Sequence, residues 1–173
     1  MKILGWNCRG LRTPRTIREL QYLTTTTCPQ ILALQETRCG VQPLESVRVK
    51  LGFSGCFGVP SKGRSGGLAI YWRDSMDLVV LNFSFYHIDF VVNDIQCSRY
   101  TLFYGCPNWN KRWKSWDLLC RLKQLSSEPW CILGDFNEVL RTDETTRCPS
   151  NRLNNIEQFR HTVNFCRLTD LGY

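Results

Sequence analysis

The stretch Gly134-Asp135-Phe136-Asn137 follows the apolar run Trp130-Cys131-Ile132-Leu133. A short apolar run of this kind reads as a buried strand. Strand alternation sets Asp135 and Asn137 on one face, at a strand end, where layered α/β proteins commonly carry catalytic groups. The carboxylate can accept a proton from water, and the carboxamide can orient that water or donate to an anionic oxygen. The other reading of the four residues is a strand running into an Asp/Asn turn. Three further apolar runs end in a polar group: Ile3-Leu4-Gly5-Trp6 in Asn7, Ile31-Leu32-Ala33-Leu34-Gln35 in Glu36, and Thr101-Leu102-Phe103 in Tyr104. Together the four ends describe a site gathered at one rim of a sheet sandwich. Glu36 and Asp135 supply hard oxygen ligands, which suit Mg2+ or Mn2+.

The elements that must position these groups follow from the apolar pattern. Strand-like runs fall at Lys2–Asn7, Ile31–Glu36, Gly67–Trp72, Leu78–Phe83, Ile88–Val92, Tyr100–Tyr104 and Trp130–Asp135. Helical spacing covers about Arg15–Thr24 (Ile17, Leu20, Leu23), Lys111–Leu125 (Trp113, Trp116, Leu119, Leu122) and Asn151–Cys166 (Ile156, Phe159, Val163), the last capped by Asn151 or Ser150. The early order of strand, helix, strand predicts parallel pairing, and the run of strands in the middle predicts an antiparallel meander. The expected class is a mixed α/β domain with sheets packed between helices, formed by residues 1–173 as one incomplete domain. The last residues, Leu168 to Tyr173, carry no terminal element, so the chain is read as cut short.

Composition narrows the function. Of 173 residues, 43% are apolar, enough for a core. There are ten cysteines but no Cys-x-x-Cys pair, and only two histidines, His87 and His161, which argues against a zinc site. Without a secretory signal or a membrane-length apolar run, the cysteines are read as small hydrophobes and the protein as soluble and intracellular. Cys39 and Cys148, placed in loops, are the thiols expected to oxidise. The formal charge of +7 favours a polyanionic partner. Trp109, Lys111, Arg112, Trp113, Lys114 and Trp116 interleave aromatic and basic residues, a pattern that can stack bases and neutralise phosphates. Trp113 and Trp116 fit the core face of a helix. Trp109, Lys111 and Arg112 remain as nucleic-acid contacts, in the loop after Tyr104. Gly58 to Ser65 nearly matches a phosphate-binding loop, but Arg64 replaces its lysine and a strand follows instead of a helix.

In order, Trp6-Asn7-Cys8-Arg9-Gly10-Leu11, Leu34-Gln35-Glu36-Thr37, Tyr104-Gly105-Cys106-Pro107-Asn108 and Gly134-Asp135-Phe136-Asn137 resemble the endonuclease/exonuclease/phosphatase family. Gly66-Gly67-Leu68-Ala69 and Ser115-Trp116-Asp117-Leu118-Leu119 look like the apurinic-type endonuclease domain of plant LINE (non-LTR) retrotransposons. The resemblance spans the whole chain. It implies a four-layer α/β sandwich of mixed sheets (DNase I-like) that cleaves phosphodiesters with Mg2+ or Mn2+. Carried over by position, Glu36 is the metal ligand, helped by Asn7. Asp135 orients or deprotonates the attacking water, Asn137 holds that carboxylate and contacts phosphate, and Tyr104 donates to the scissile phosphate. Arg9 and Asn108 join Trp109, Lys111 and Arg112 as DNA contacts. The implied setting is a monomeric DNA-nicking domain in the nucleus, with a reverse transcriptase domain in cis and no membrane association. Two departures stand out. Arg9 occupies a position where relatives often carry an acid. The family's closing strands and Ser-Asp-His element have no counterpart, so impaired catalysis is expected. An inert nucleic-acid-binding relic and a phosphatase of the same fold are the alternatives.

Overall fold

The apolar runs fold as β1 (Ile3–Asn7), β2 (Ile31–Gln35), β3 (Gly55–Val59), β4 (Leu68–Trp72), β5 (Leu78–Ser84), β6 (His87–Val92), β7 (Ser98–Tyr104) and β8 (Trp130–Asp135). The helices are α1 (Pro14–Thr27), α2 (Val41–Leu51), α3 (Trp113–Gln124) and α4 (Arg152–Phe165). The computed structural model describes residues 1–63, 65–93, 98–145 and 152–172. Arg64, Cys97, Cys148, Ser150 and Asn151, which entered the sequence reading, lie outside the described residues. The chain divides into two compact units, Met1–Tyr104 with Glu128–Asp135, and Gly105–Ser127 with Phe136–Tyr173.

In the first unit the strands form two mixed sheets, ordered β1-β2-β4-β3 and β5-β6-β7-β8. β1 and β2 are parallel, as a strand-helix-strand order requires. β5, β6 and β7 form the expected antiparallel meander, and β7 pairs parallel with β8. β2 is buried along its whole length because both of its faces are covered. Ile31, Ala33, Leu68 and Ile70 meet Ile88, Phe90, Val92 and Leu102 between the sheets. On the other face of the first sheet, Leu32, Leu34 and Tyr71 pack against Leu20 of α1 and Leu44 and Val47 of α2. Thr13 caps α1 by accepting from Thr16 N–H at 3.2 Å, with Pro14 in the first turn. Cys39 is buried in this core, so the expected loop thiol is shielded instead.

The second sheet carries a buried polar chain. His87 opens β6 and is buried. Its Nε2 lies 2.5 Å from Asn82 Oδ1 and its Nδ1 2.7 Å from Ser84 Oγ. Asn82 Oδ1 can only accept, so the ring donates through Nε2 and accepts from the serine hydroxyl. Asn82 Nδ2 in turn donates to Asp89 at 2.9 Å. Burial, aided by the Arg99 charge, lowers the His87 pKa against the opposing pull of Asp89. The folded state therefore holds a neutral ring, whereas the unfolded chain takes up a proton as pH falls through 6.5. Stability should be full above that value and decline as pH falls below it. His87→Gln should flatten that decline in urea titrations at stepped pH. An unchanged slope would show that His87 does not cause it.

In the second unit, Trp116 of α3 packs on Phe159 of α4, their ring centroids 6.3 Å apart, and Phe136 lies 5.7 Å from Phe159. Trp116, Leu119 and Leu122 are buried as the helical spacing predicts. Trp113 is not. It starts α3 and is 55% exposed, with Lys114 Nζ 5.6 Å from its ring centroid.

Candidate active site

Four of the predicted groups come together at one end of the two sheets of the first unit. Asn7 Nδ2 donates to Glu36 Oε1 and to Asp135 Oδ2, each at 3.1 Å. Tyr104 Oη also donates to Glu36 Oε1, at 3.1 Å. Arg38 Nη2 lies 2.5 Å from Glu36 Oε2. One amide nitrogen thus ties together carboxylates that are 99 residues apart in the chain, Glu36 and Asp135. Burial pushes the Glu36 carboxyl up, but hydrogen bonds from Asn7, Arg38 and Tyr104 and the Arg38 charge outweigh it. It therefore titrates below 4.5 and is ionised at neutral pH.

The backbone that presents these groups is strained. Arg9, Glu36 and Arg38 have φ of 50°, 51° and 53°, left-handed values that cost a non-glycine residue roughly 1–2 kcal/mol each. The loops after β1 and β2 are held in this form by their neighbours. Cys8 N–H donates to Gln35 O at 3.1 Å, Leu11 N–H to Thr37 O at 3.0 Å, and Thr37 N–H to Gly67 O at 3.0 Å. Arg9 itself is exposed, and its N–H reaches Asn7 Oδ1 at 3.3 Å.

Gln35, which the sequence reading took as part of an apolar run, joins the two sheets. Its Nε2 donates to Phe103 O and its Oε1 accepts from Asp135 N–H at 3.1 Å. Gly134, at φ 138°, makes room, since a Cβ there would strike Phe103 O and the Gln35 amide. A glutamine ending a continuous apolar run is itself a signal, because a buried amide needs partners. Gln35→Leu removes one buried and one part-buried hydrogen bond, at about 0.5–1.5 kcal/mol each. Chemical denaturation should show a loss in that range, and a loss below 0.5 kcal/mol would contradict the bridge (~1 kcal/mol being typical of one hydrogen bond).

The remaining predicted residues lie in the second unit. Asn137 is not on the strand, which ends at Asp135. It sits in a left-handed bend at φ 54° and donates from Nδ2 to Gly105 O at 2.8 Å. Asn108 is exposed and accepts from Asn110 N–H at 3.1 Å, capping a single 3-10 turn, Trp109–Lys111. Lys111 is exposed. Arg112 is half-buried, pairs with the buried Glu138 at 2.7 Å and covers the Trp109 ring at 4.9 Å.

The family model described as "Endonuclease/Exonuclease/phosphatase family" matches residues 4–172. The chain belongs to that family. No curated protein matches the sequence significantly. Among solved structures, an AP endonuclease from Archaeoglobus fulgidus is similar at TM-score 0.72 and 18% identity, over 96% of this chain and 70% of that one. The endonuclease domain of TRAS1, a telomere-specific non-LTR retrotransposon, is similar at TM-score 0.71 and 13% identity, over 99% and 73%. The 3′ phosphatase NExo from Neisseria, bound to a product DNA hairpin, is similar at TM-score 0.69 and 18% identity, over 95% and 71%. At these identities the likeness shows the fold: DNase I-like α/β, with two mixed sheets and four helices among the described residues. The chain spans about 70% of the length of these structures.

Members of the family generally use divalent metal ions. Glu36 and Asp135 are oxygen donors tied to the same amide nitrogen. Among the described residues no group of three or more His, Cys, Asp or Glu side chains gathers around one point. Two carboxylates fit a hard ion that keeps several waters, as Mg2+ does, and do not fit zinc. No helix among the described residues is long and apolar enough to cross a membrane.

Proposed function

We propose that the chain is the DNA-nicking endonuclease domain of a LINE-type retroelement, a phosphodiester hydrolase dependent on Mg2+ or Mn2+. The observation that carries the reading is the Asn7-bridged pair of carboxylates with Tyr104 beside it. Glu36, helped by Asn7, would hold the ion, which when bound supplies positive charge against the developing phosphorane. Asp135 would orient and deprotonate the attacking water. Asn137 would steady that carboxylate and contact the phosphate, to which Tyr104 would donate its hydroxyl. Arg9, Asn108, Trp109, Lys111 and Arg112 would contact the DNA strand. Nicking would expose a 3′-hydroxyl for a reverse transcriptase in cis, which places the work in the nucleus. Plant LINE elements are the proposed source, on the Gly66-Gly67-Leu68-Ala69 and Ser115-Trp116-Asp117 segments.

One observation favours a second reading, a nucleic-acid-binding domain without chemistry. His87 is buried within the second sheet and bonded to Asn82 and Ser84, and His161 is exposed on α4. The deciding experiment incubates the 173-residue chain and its Glu36→Gln variant with supercoiled plasmid and Mg2+. In parallel, duplex binding is followed as salt is raised. Nicking that Glu36→Gln removes supports the endonuclease. Salt-sensitive binding without nicking supports the second reading, since phosphate contacts release counterions. Phosphate release from small phosphomonoesters without either would point to a phosphatase.

A further inference from the structure

Glu36 has three donors on its two oxygens, and they are not equally replaceable. Asn7 and Tyr104 share Oε1, and Arg38 alone sits on Oε2. Tyr104 is buried in the core between the sheets. The Asn7 amide also holds Asp135. Neither side chain can swing away without undoing something else. The Arg38 side chain is 42% exposed, and its backbone is anchored separately, with N–H donating to Gly66 O at 3.1 Å. It meets the carboxylate through one Nη, while its Nε is buried with no hydrogen-bond partner. A guanidinium binds a carboxylate best as a two-pronged fork, so this grip is incomplete. The only Glu36 oxygen open to exchange at low cost is the one Arg38 covers.

We propose that Arg38 is a built-in counter-ion for Glu36 that gives up Oε2 when a divalent cation binds and then serves as a phosphate clamp for the nucleic-acid backbone. The inference rests on the metal-dependent reading above and adds a competition to it. Arg38 lowers the apparent affinity for the cation, because the competent state is only part of the population. By linkage, the cation raises affinity for a backbone phosphate, since it frees the guanidinium, and the phosphate raises affinity for the cation by the same factor.

The test uses the full chain, with Mn2+ binding followed by calorimetry and paramagnetic resonance. Short-duplex binding is measured with and without Ca2+ at fixed ionic strength. Arg38→Met and Arg38→Gln should bind Mn2+ about 3- to 10-fold more tightly than the parent, the range set by losing a half-exposed ion pair and a nearby positive charge. Both should lose most of the Ca2+-dependent gain in duplex affinity, and Glu36→Gln should lose Mn2+ binding. Thermal melting confirms that each variant is folded, and two substitutions guard against the failure of one. Equal or weaker Mn2+ binding by both Arg38 variants, with Glu36→Gln still defective, overturns the counter-ion role and leaves the metal reading intact. Mn2+ binding unaffected by Glu36→Gln, or absent from every variant, overturns the metal reading and the counter-ion role with it.

Discussion

Asp89→Ala is expected to remove about 3–5 kcal/mol of folding stability, a large share of the roughly 5–15 kcal/mol a domain has in total. Asp89 and Arg99 have side chains 1% and 2% exposed and meet at 2.8 Å. The Arg99 Nε lies 3.1 Å from both carboxylate oxygens. Thr101 Oγ1 donates to Asp89 at 2.7 Å, Trp130 Nε1 donates to Thr101 at 2.8 Å, and the Arg99 guanidinium lies 5.0 Å from the Trp130 ring centroid. The alanine variant leaves a guanidinium in the interior without its counter-charge, and that stranded charge costs more than the pair itself contributes. The double variant Asp89→Leu with Arg99→Met should therefore be far more stable than the sum of the single losses predicts. Urea denaturation of the four proteins of the cycle gives the coupling. Additive losses, or a single-variant loss near 0.5 kcal/mol (the size of an exposed pair), would show that the pair is not acting as a buried one.

That network marks where the sequence stopped being legible. Asp89, Arg99 and Thr101 alternate with apolar residues along β6 and β7. Such alternation reads as one wet face, yet the face is buried, and only partners distant in sequence make that possible. β3 and α2 were missed for a related reason. Gly55 and Gly58 are poor strand formers, but a Cβ on Gly55 would overlap the Trp72 ring and one on Gly58 would overlap Leu44. Packing demanded the glycines and overrode propensity. α2 carries Pro43 and three valines, all weak helix formers in isolation. It is finished by Gly52 in a left-handed cap and by Arg48, whose Nη1 reaches Phe53 O at 2.7 Å. In contrast, Asn7, Glu36, Tyr104 and Asp135 were readable because each closes an apolar run. Whole-chain resemblance to a family added the order in which those ends occur. Arg38 was not readable. Nothing in its type or spacing says that a left-handed turn aims it back at Glu36.

The separation between fold and chemistry sets the last expectation. Asp135→Ala should reduce Mg2+-dependent nicking by about 10²–10⁴, the usual worth of a positioned general base, while changing stability little. Asp135 lies at the end of β8, and its main-chain N–H is already held by Gln35. Its carboxylate accepts from Asn7 Nδ2, which keeps Glu36 as a second acceptor when Asp135 is removed. The Asn7 donor is therefore not orphaned, so the fold has little to lose. Asp135→Asn keeps the shape but cannot take a proton, so it should be nearly as inactive as the alanine variant. A carboxamide that restored more than about a tenth of the rate would assign Asp135 to orientation alone, since proton transfer typically supplies about 10² or more. Single-turnover nicking of a labelled duplex, read beside thermal melts of the same preparations, separates the two quantities. A fall in melting temperature matching the fall in rate would mean that Asp135 supports the fold and that the chemistry sits elsewhere.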